Sequence, residues 1–215
     1  MKKTVEKNVK KPSKKKVVAK AKVASKKPPS KKRGPLTPAL SPLARRGGTH
    51  PKLTWLLANL KPGRYAGGLL QFSPPGTHAR EMGPWLMGRT DGRTSIGRTA
   101  FGELLVFRDL RDHATSLGME DAETACDVAA IDIHFKRMKI LATSAEEFVE
   151  LLDDAEWQKA FLRKPLYLAA KARVGDWDQH ECFGFVPALA LGGSEQAASV
   201  ERVDWRVYQA LLLQM

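Results

Sequence analysis

Cysteine is scarce in this chain: Cys126 and Cys182 are the only two among 215 residues. Two cysteines cannot build a disulfide framework, and neither sits in a C-x-x-C pair of the redox or structural-zinc kind, so a reducing cytoplasm is the expected compartment. Long apolar runs are lacking as well. No stretch approaches the ~18 to 20 residues of a membrane span, and the early lysines are not followed by the apolar core of a secretion signal. Acids are almost missing from the start, where Met1 to Arg33 holds 15 Lys and Arg against Glu6 alone, a net charge of +14. From Phe101 onward the balance inverts to 12 basic and 20 acidic residues, or −8, so the formal +13 of the whole chain describes its first segment only.

Residues 1–48 are Lys, Pro, Ala and Ser with few large apolar side chains, too little to offset the entropy of ordering, and a disordered tail is expected there. KKPSKKK and SKKPPSKKR can neutralise phosphates without reading sequence, but no aromatics are interleaved for base stacking. Nonspecific nucleic-acid binding through this tail is therefore the alternative function. Within it, PLTPALSPLARRGG resembles translated intergenic repeat and points to a later start, such as Met82 or Met87, that would leave the recognisable domain whole. Residues 49–84 carry one apolar patch, Leu53 to Leu60, and then Pro62, Gly63, Gly67, Gly68, Pro74, Pro75 and Gly76. They are expected to hold at most one helix and one strand, as a linker or a degenerate N-terminal region.

Residues 85–215 read as an α+β domain, a small antiparallel sheet covered on one face by C-terminal helices. Glu103 to Phe107, Val128 to Phe135 and Met138 to Ala142 are the strands; Ile131, Ile133 and Phe135 alternate with Asp132 and His134, predicting one buried and one wet face. Ser144 and Glu147 have capping-box spacing ahead of a helix to about Asp153, and Asp154 can cap the next through Phe161. Pro165 can open a third helix that Gly175 ends, and Asp204 precedes a last apolar-faced helix.

Catalytic and ligand motifs are weak. Gly92 to Thr99 mimics a phosphate loop, but Arg98 replaces its Lys and no buried strand precedes it, so an exposed loop is expected. His180 and Cys182 stand near Asp176, Asp178 and Glu181, yet alternate spacing in an extended segment points neighbours apart, which favours a solvated turn over a metal site. No G-x-S-x-G occurs and neither Cys is marked as activated, so neither an enzyme nor a cofactor is expected.

Gly184 and the pair Gly192-Gly193 bracket the run after Pro187, as a buried extended segment between two tight turns would require. The stretch GDWDQHECFGFVPALALGGSEQAASVERVDWRVYQALLLQM resembles the C-terminal domain of type VI secretion DNase-immunity proteins, a family often found behind a GAD-like domain. Glu181, Gly184, Phe185, Pro187, Gly192 and Gly193 carry the likeness, with Gly97 to Leu104 resembling the family's opening strand. Phe183 departs from a usual Tyr, and nothing before Trp85 looks like a full GAD-like domain. The resemblance implies a bacterial, cytoplasmic, non-catalytic protein whose partner is a toxin such as a basic DNase. Gly102, Gly184, Phe185, Pro187, Gly192 and Gly193 are read as structural. Charge adds that an acidic domain can mimic phosphate and steer a basic nuclease. The expected contacts are Glu146, Glu147, Glu150, Asp153 and Asp154 on one helix and Asp176, Asp178 and Glu181 in a turn.

Overall fold

The computed structural model describes residues 48–215 of the chain. The tail expected over residues 1–48 lies, Gly48 apart, outside the described residues.

Six antiparallel strands run in chain order across one sheet: β1 (Gly63–Tyr65), β2 (Leu70–Phe72), β3 (Arg93–Thr99), β4 (Leu104–Asp109), β5 (Cys126–Asp132) and β6 (Arg137–Ala142). Helix α1 (Pro51–Asn59) precedes the sheet, α2 (Ala79–Trp85) links β2 to β3, and α3 (Arg111–Ser116) links β4 to β5. Helices α4 (Ala145–Leu151), α5 (Ala155–Leu162) and α6 (Lys164–Val174) follow β6. A separate antiparallel pair, β7 (Glu181–Phe185) and β8 (Val200–Asp204), leads into α7 (Trp205–Gln214). The α+β class is as read from the sequence.

The helix ends form by local chemistry. Ser144 Oγ accepts from the Glu147 N–H at 3.1 Å, while Glu147 Oε2 reaches one residue further back than a capping box requires, to the Thr143 N–H at 2.6 Å. Asp154 and Asp204 accept from the N–H groups of Trp157 and Val207. Pro165 lies in the first turn of α6, and Gly175 closes that helix at φ 84°.

Helices cover both faces of the sheet, not one. Along β4, Leu105 and Phe107 join a cluster with α1, α4, α5 and α6, whereas Leu104 and Val106 join a second with Met82 of α2 and Trp205, Tyr208 and Leu212 of α7. Every residue of β5 is buried. The alternation read at residues 131–135 therefore misleads: Asp132 and His134 are buried and Phe135 is exposed, because the strand ends at Asp132 and Oδ1 of Asp132 accepts the N–H groups of His134 (3.1 Å) and Phe135 (3.3 Å) in the turn.

Residues 49–84 hold two helices and two strands, more than expected. Short strands survive their glycines because each pairs with a neighbour: β2 lies between β1 and β3 and fills the core with Leu70 and Phe72. The boundary drawn at Trp85 thus cuts through the sheet, and a chain begun at Met82 or Met87 would lack Leu53, Leu56, Leu60, Leu69, Leu70 and Phe72 from the core.

Candidate partner-binding site

Six of the eight carboxylates singled out in the sequence have local partners. On α4, Glu146 takes Lys52 Nζ at 2.6 Å and ties α4 to α1, which holds its carboxyl below the usual range. Glu147 and Asp154 are spent on the helix starts. In the turn after α6, Asp176 takes Lys171 at 2.9 Å and Arg64 at 3.2 Å, and Asp178 Oδ1 accepts the N–H groups of His180 (2.6 Å) and Glu181 (3.1 Å). Glu181 returns a carboxylate to the Asp178 N–H at 3.2 Å, with Arg202 at 3.6 Å. Glu150 and Asp153 are left exposed, with no partner among the described residues. Glu156 at the start of α5, missed in the sequence, is also exposed and faces only Lys159 at 3.6 Å. The structure thus separates three exposed acids around the α4–α5 junction, Glu150, Asp153 and Glu156, from an internally neutralised turn.

The phosphate-loop mimic is a central strand, β3, and not an exposed loop. Arg98 is 1 % exposed. Its Nη1 donates to the Glu181 carbonyl at 2.5 Å and its Nη2 to the carbonyls of Asp178 (3.2 Å) and Gln179 (2.8 Å) and to Gln71 Oε1 (3.1 Å). The guanidinium carbon lies 4.6 Å from the Trp177 ring and 5.0 Å from that of Trp205. Burial lowers its pKa to about 10, which still leaves it charged at neutral pH. Arg98 is therefore the pin that fixes the 176–181 turn. Its register opposite Leu104, after a bulge between Ser95 and Gly97, places it on the Trp205 side of the strand, away from Ile96 and Ala100.

Cys182 and His180, near that turn, do not converge. His180 is exposed, whereas Cys182 is fully buried and its thiol is pushed up to about 12 by burial, the state of an inert core cysteine. Among the described residues, no group of three His, Cys, Asp or Glu side chains is placed to hold a metal ion.

The run after Pro187 is a surface turn, which corrects the buried segment expected there. Leu189–Leu191 forms one 3-10 turn with no buried residue, Leu191 is 63 % exposed, and Ala188 is buried while Leu189 packs partly against the core. The glycines are nonetheless structural by contact. A Cβ on Gly193 would lie 1.9 Å from the Pro187 carbonyl oxygen, and one on Gly184 would lie 2.7 Å from Val203 and 3.0 Å from the Tyr208 ring. Gly192 closes the turn at φ 84°, and Gly102, at φ 81°, lets Trp205, Cys182 and Ile133 close to within 3.0–3.2 Å of a Cβ position. The Phe185 N–H donates to the Tyr208 hydroxyl at 2.9 Å. Phe183 fills a dry site between Phe101 and Tyr167, where a phenol would need a partner.

Residues 142–215 match the family described as T6SS immunity protein Tdi1, C-terminal. The matched stretch runs from the end of β6 through α7 and contains the open acids, the pinned turn and, Gly102 apart, the glycine contacts. Among solved structures, the chain is similar to "Crystal structure of Atu4351 from Agrobacterium tumefaciens", with 17% identity, a TM-score of 0.53 and coverage of 75% of each chain. That likeness extends the shared fold beyond the Tdi1-type segment into the sheet. No curated protein matches the chain in sequence.

A buried ionic hub joins the Tdi1-type segment to the sheet. Glu103, in the β3–β4 turn, takes Arg163 Nη1 at 2.6 Å and Lys139 Nζ at 3.2 Å. Arg163 also approaches Asp132 at 3.5 Å and Glu195 at 3.2 Å. Burial alone would raise the Glu103 carboxyl, but Lys139 and Arg163 together hold it below the usual carboxylate range. Arg163 sits between α5 and α6 at φ 55°, a left-handed backbone uncommon for a side-chain-bearing residue. Neither Glu103 nor Arg163 stood out in the sequence, since their neighbours there give no hint of a partner 60 residues away.

Proposed function

We propose that this protein is a non-catalytic immunity factor that binds a secreted toxin, a nuclease, and holds it inactive in the cytoplasm. The observation that carries this reading is the match of residues 142–215 to the Tdi1 C-terminal family, in the same segment that leaves Glu150, Asp153 and Glu156 open on the surface. A nuclease must present cations to phosphate, and exposed carboxylates, two of them without a partner among the described residues, both attract such a surface at long range and compete for it on contact. The eight acids named from the sequence then divide by role: Glu150 and Asp153 face the toxin, while Glu146, Glu147, Asp154, Asp176, Asp178 and Glu181 shape the surface around them.

The test is binding of the purified chain to the toxin encoded beside it, followed by association and dissociation rates. Glu150→Lys with Asp153→Lys should slow association by about tenfold, with a smaller effect on dissociation, and the difference should shrink as salt rises. Unchanged rates would remove Glu150 and Asp153 from the interface, and no binding by the parent chain would remove the toxin reading. The alternative, nonspecific nucleic-acid binding, is favoured by the +14 charge of Met1 to Arg33. It requires DNA binding with a steep salt dependence that disappears on removal of residues 1–33.

A further inference from the structure

A groove of about 270 Å³ opens between the end of α2, the β5–β6 turn and the end of α7. Trp85, Leu86 and Met87 line it from the end of α2, Ile131 and Met138 from β5 and β6, and Leu213 from α7. The walls are held in place. Trp85 Nε1 donates to Gln209 Oε1 at 2.8 Å, and Arg206 of α7 meets Glu81 of α2 at 2.9 Å.

The rim is unusual in conformation and in charge. Met87 is 82 % exposed, and Met87 (φ 51°) and Lys136 (φ 50°), both lining the groove, hold left-handed backbone. Such backbone is retained only where its surroundings over-determine it, and it concentrates at ligand-contacting sites. Lys136 has no partner among the described residues, and Arg137 lies 5.0 Å over the Phe135 ring and 3.7 Å from Asp132, a carboxylate already opposite Arg163. No acid lines the groove. In the half of the chain that carries −8, an apolar cleft crowned by an unneutralised cation is the local exception.

We infer that this groove is a second docking site on the same toxin, taking an apolar anchor side chain flanked by a carboxylate on an extended segment of that partner. The inference rests on the toxin-binding reading. Its volume is below the roughly 300 Å³ at which small-molecule pockets begin and suits one or two side chains, as interface hot-spot pockets do. Charge fixes the rest, because Lys136 and Arg137 complement an acid beside the anchor. Apart from Leu213, the groove is built by residues outside 142–215, so partner choice is shared between the matched segment and the part of the chain that precedes it.

The full chain, carrying 13C-methyl methionine, is titrated with the peptide acetyl-Glu-Leu-Phe-Glu-amide, with its Lys-flanked counterpart, and with decanoate. The acidic peptide should shift the methyl signals of Met87 and Met138 saturably and leave Met119 unmoved. Lys136→Glu should weaken that binding by about fivefold or more, with the buried Met82 signal unchanged as a check on folding. Equal shifts with both peptides, no shifts, or saturation by decanoate at lower concentration than the peptide would each overturn the inference. Since these probes act without the toxin, a silent groove on a chain that still binds toxin defeats the groove alone. Loss of toxin binding by the parent chain defeats the reading beneath it.

Discussion

Gly193 packs where no side chain fits. With a Cβ position 1.9 Å from a backbone oxygen, Gly193→Ala must open the 187–193 turn, and a loss of about 2 kcal/mol is expected in urea unfolding. Gly192→Ala, strained only by its positive φ, should cost about 1 kcal/mol. At the opposite pole of the chemistry, His78 is buried against Trp205 at 4.7 Å with its Nδ1 unpartnered. Burial, helped by the nearby Arg98 charge, lowers its pKa from 6.5 to about 4. Between those values the unfolded chain binds a proton that the folded chain refuses. The stability that His78 contributes is thus complete above pH 6.5 and is lost as the pH falls toward 4. His78→Gln should flatten that limb of a plot of thermal midpoint against pH.

At the scale of elements, the junction of α5 and α6 decides how the helical half grips the sheet. Arg163 supplies the counter-charge for two carboxylates that water does not reach, so Arg163→Ala should cost about 3–5 kcal/mol at neutral pH. The Glu103 carboxyl, depressed in the folded chain, contributes stability above its unfolded pKa that is lost as the pH falls through the lower folded value. Acid removes the charge that the variant leaves stranded. The gap between variant and parent should therefore narrow in denaturant midpoints measured at falling pH.

For the whole molecule, the sheet is a single body from β1 to β6. Removal of residues 1–81 deletes α1, β1 and β2 together with six core side chains, and should abolish the near-ultraviolet circular dichroism of the packed aromatics. Removal of residues 1–33 touches none of these elements, and its thermal midpoint should stay within a degree or two of the parent's, a range that corresponds to about 0.5 kcal/mol.

Sequence alone determined the last four helices, since Ser144, Asp154, Pro165 and Asp204 act on groups within four residues of themselves, and signals of that range are complete in the chain. It also determined the charge division and, through the Gly-Phe-Val-Pro to Gly-Gly run, the family likeness. Only the tertiary structure decided which acids stay open, because that depends on whether Lys52, Arg64 or Lys171 happens to lie alongside. It placed Arg98 inside and Leu191 outside, against the expectation from each. It likewise buried both faces of β4 and β5, since α1, before them in the chain, and α7, after them, meet the strands from more than 40 residues away. Burial is a property of such distant pairings, and periodicity within a strand records only that an apolar face exists, not how many of its neighbours will be covered.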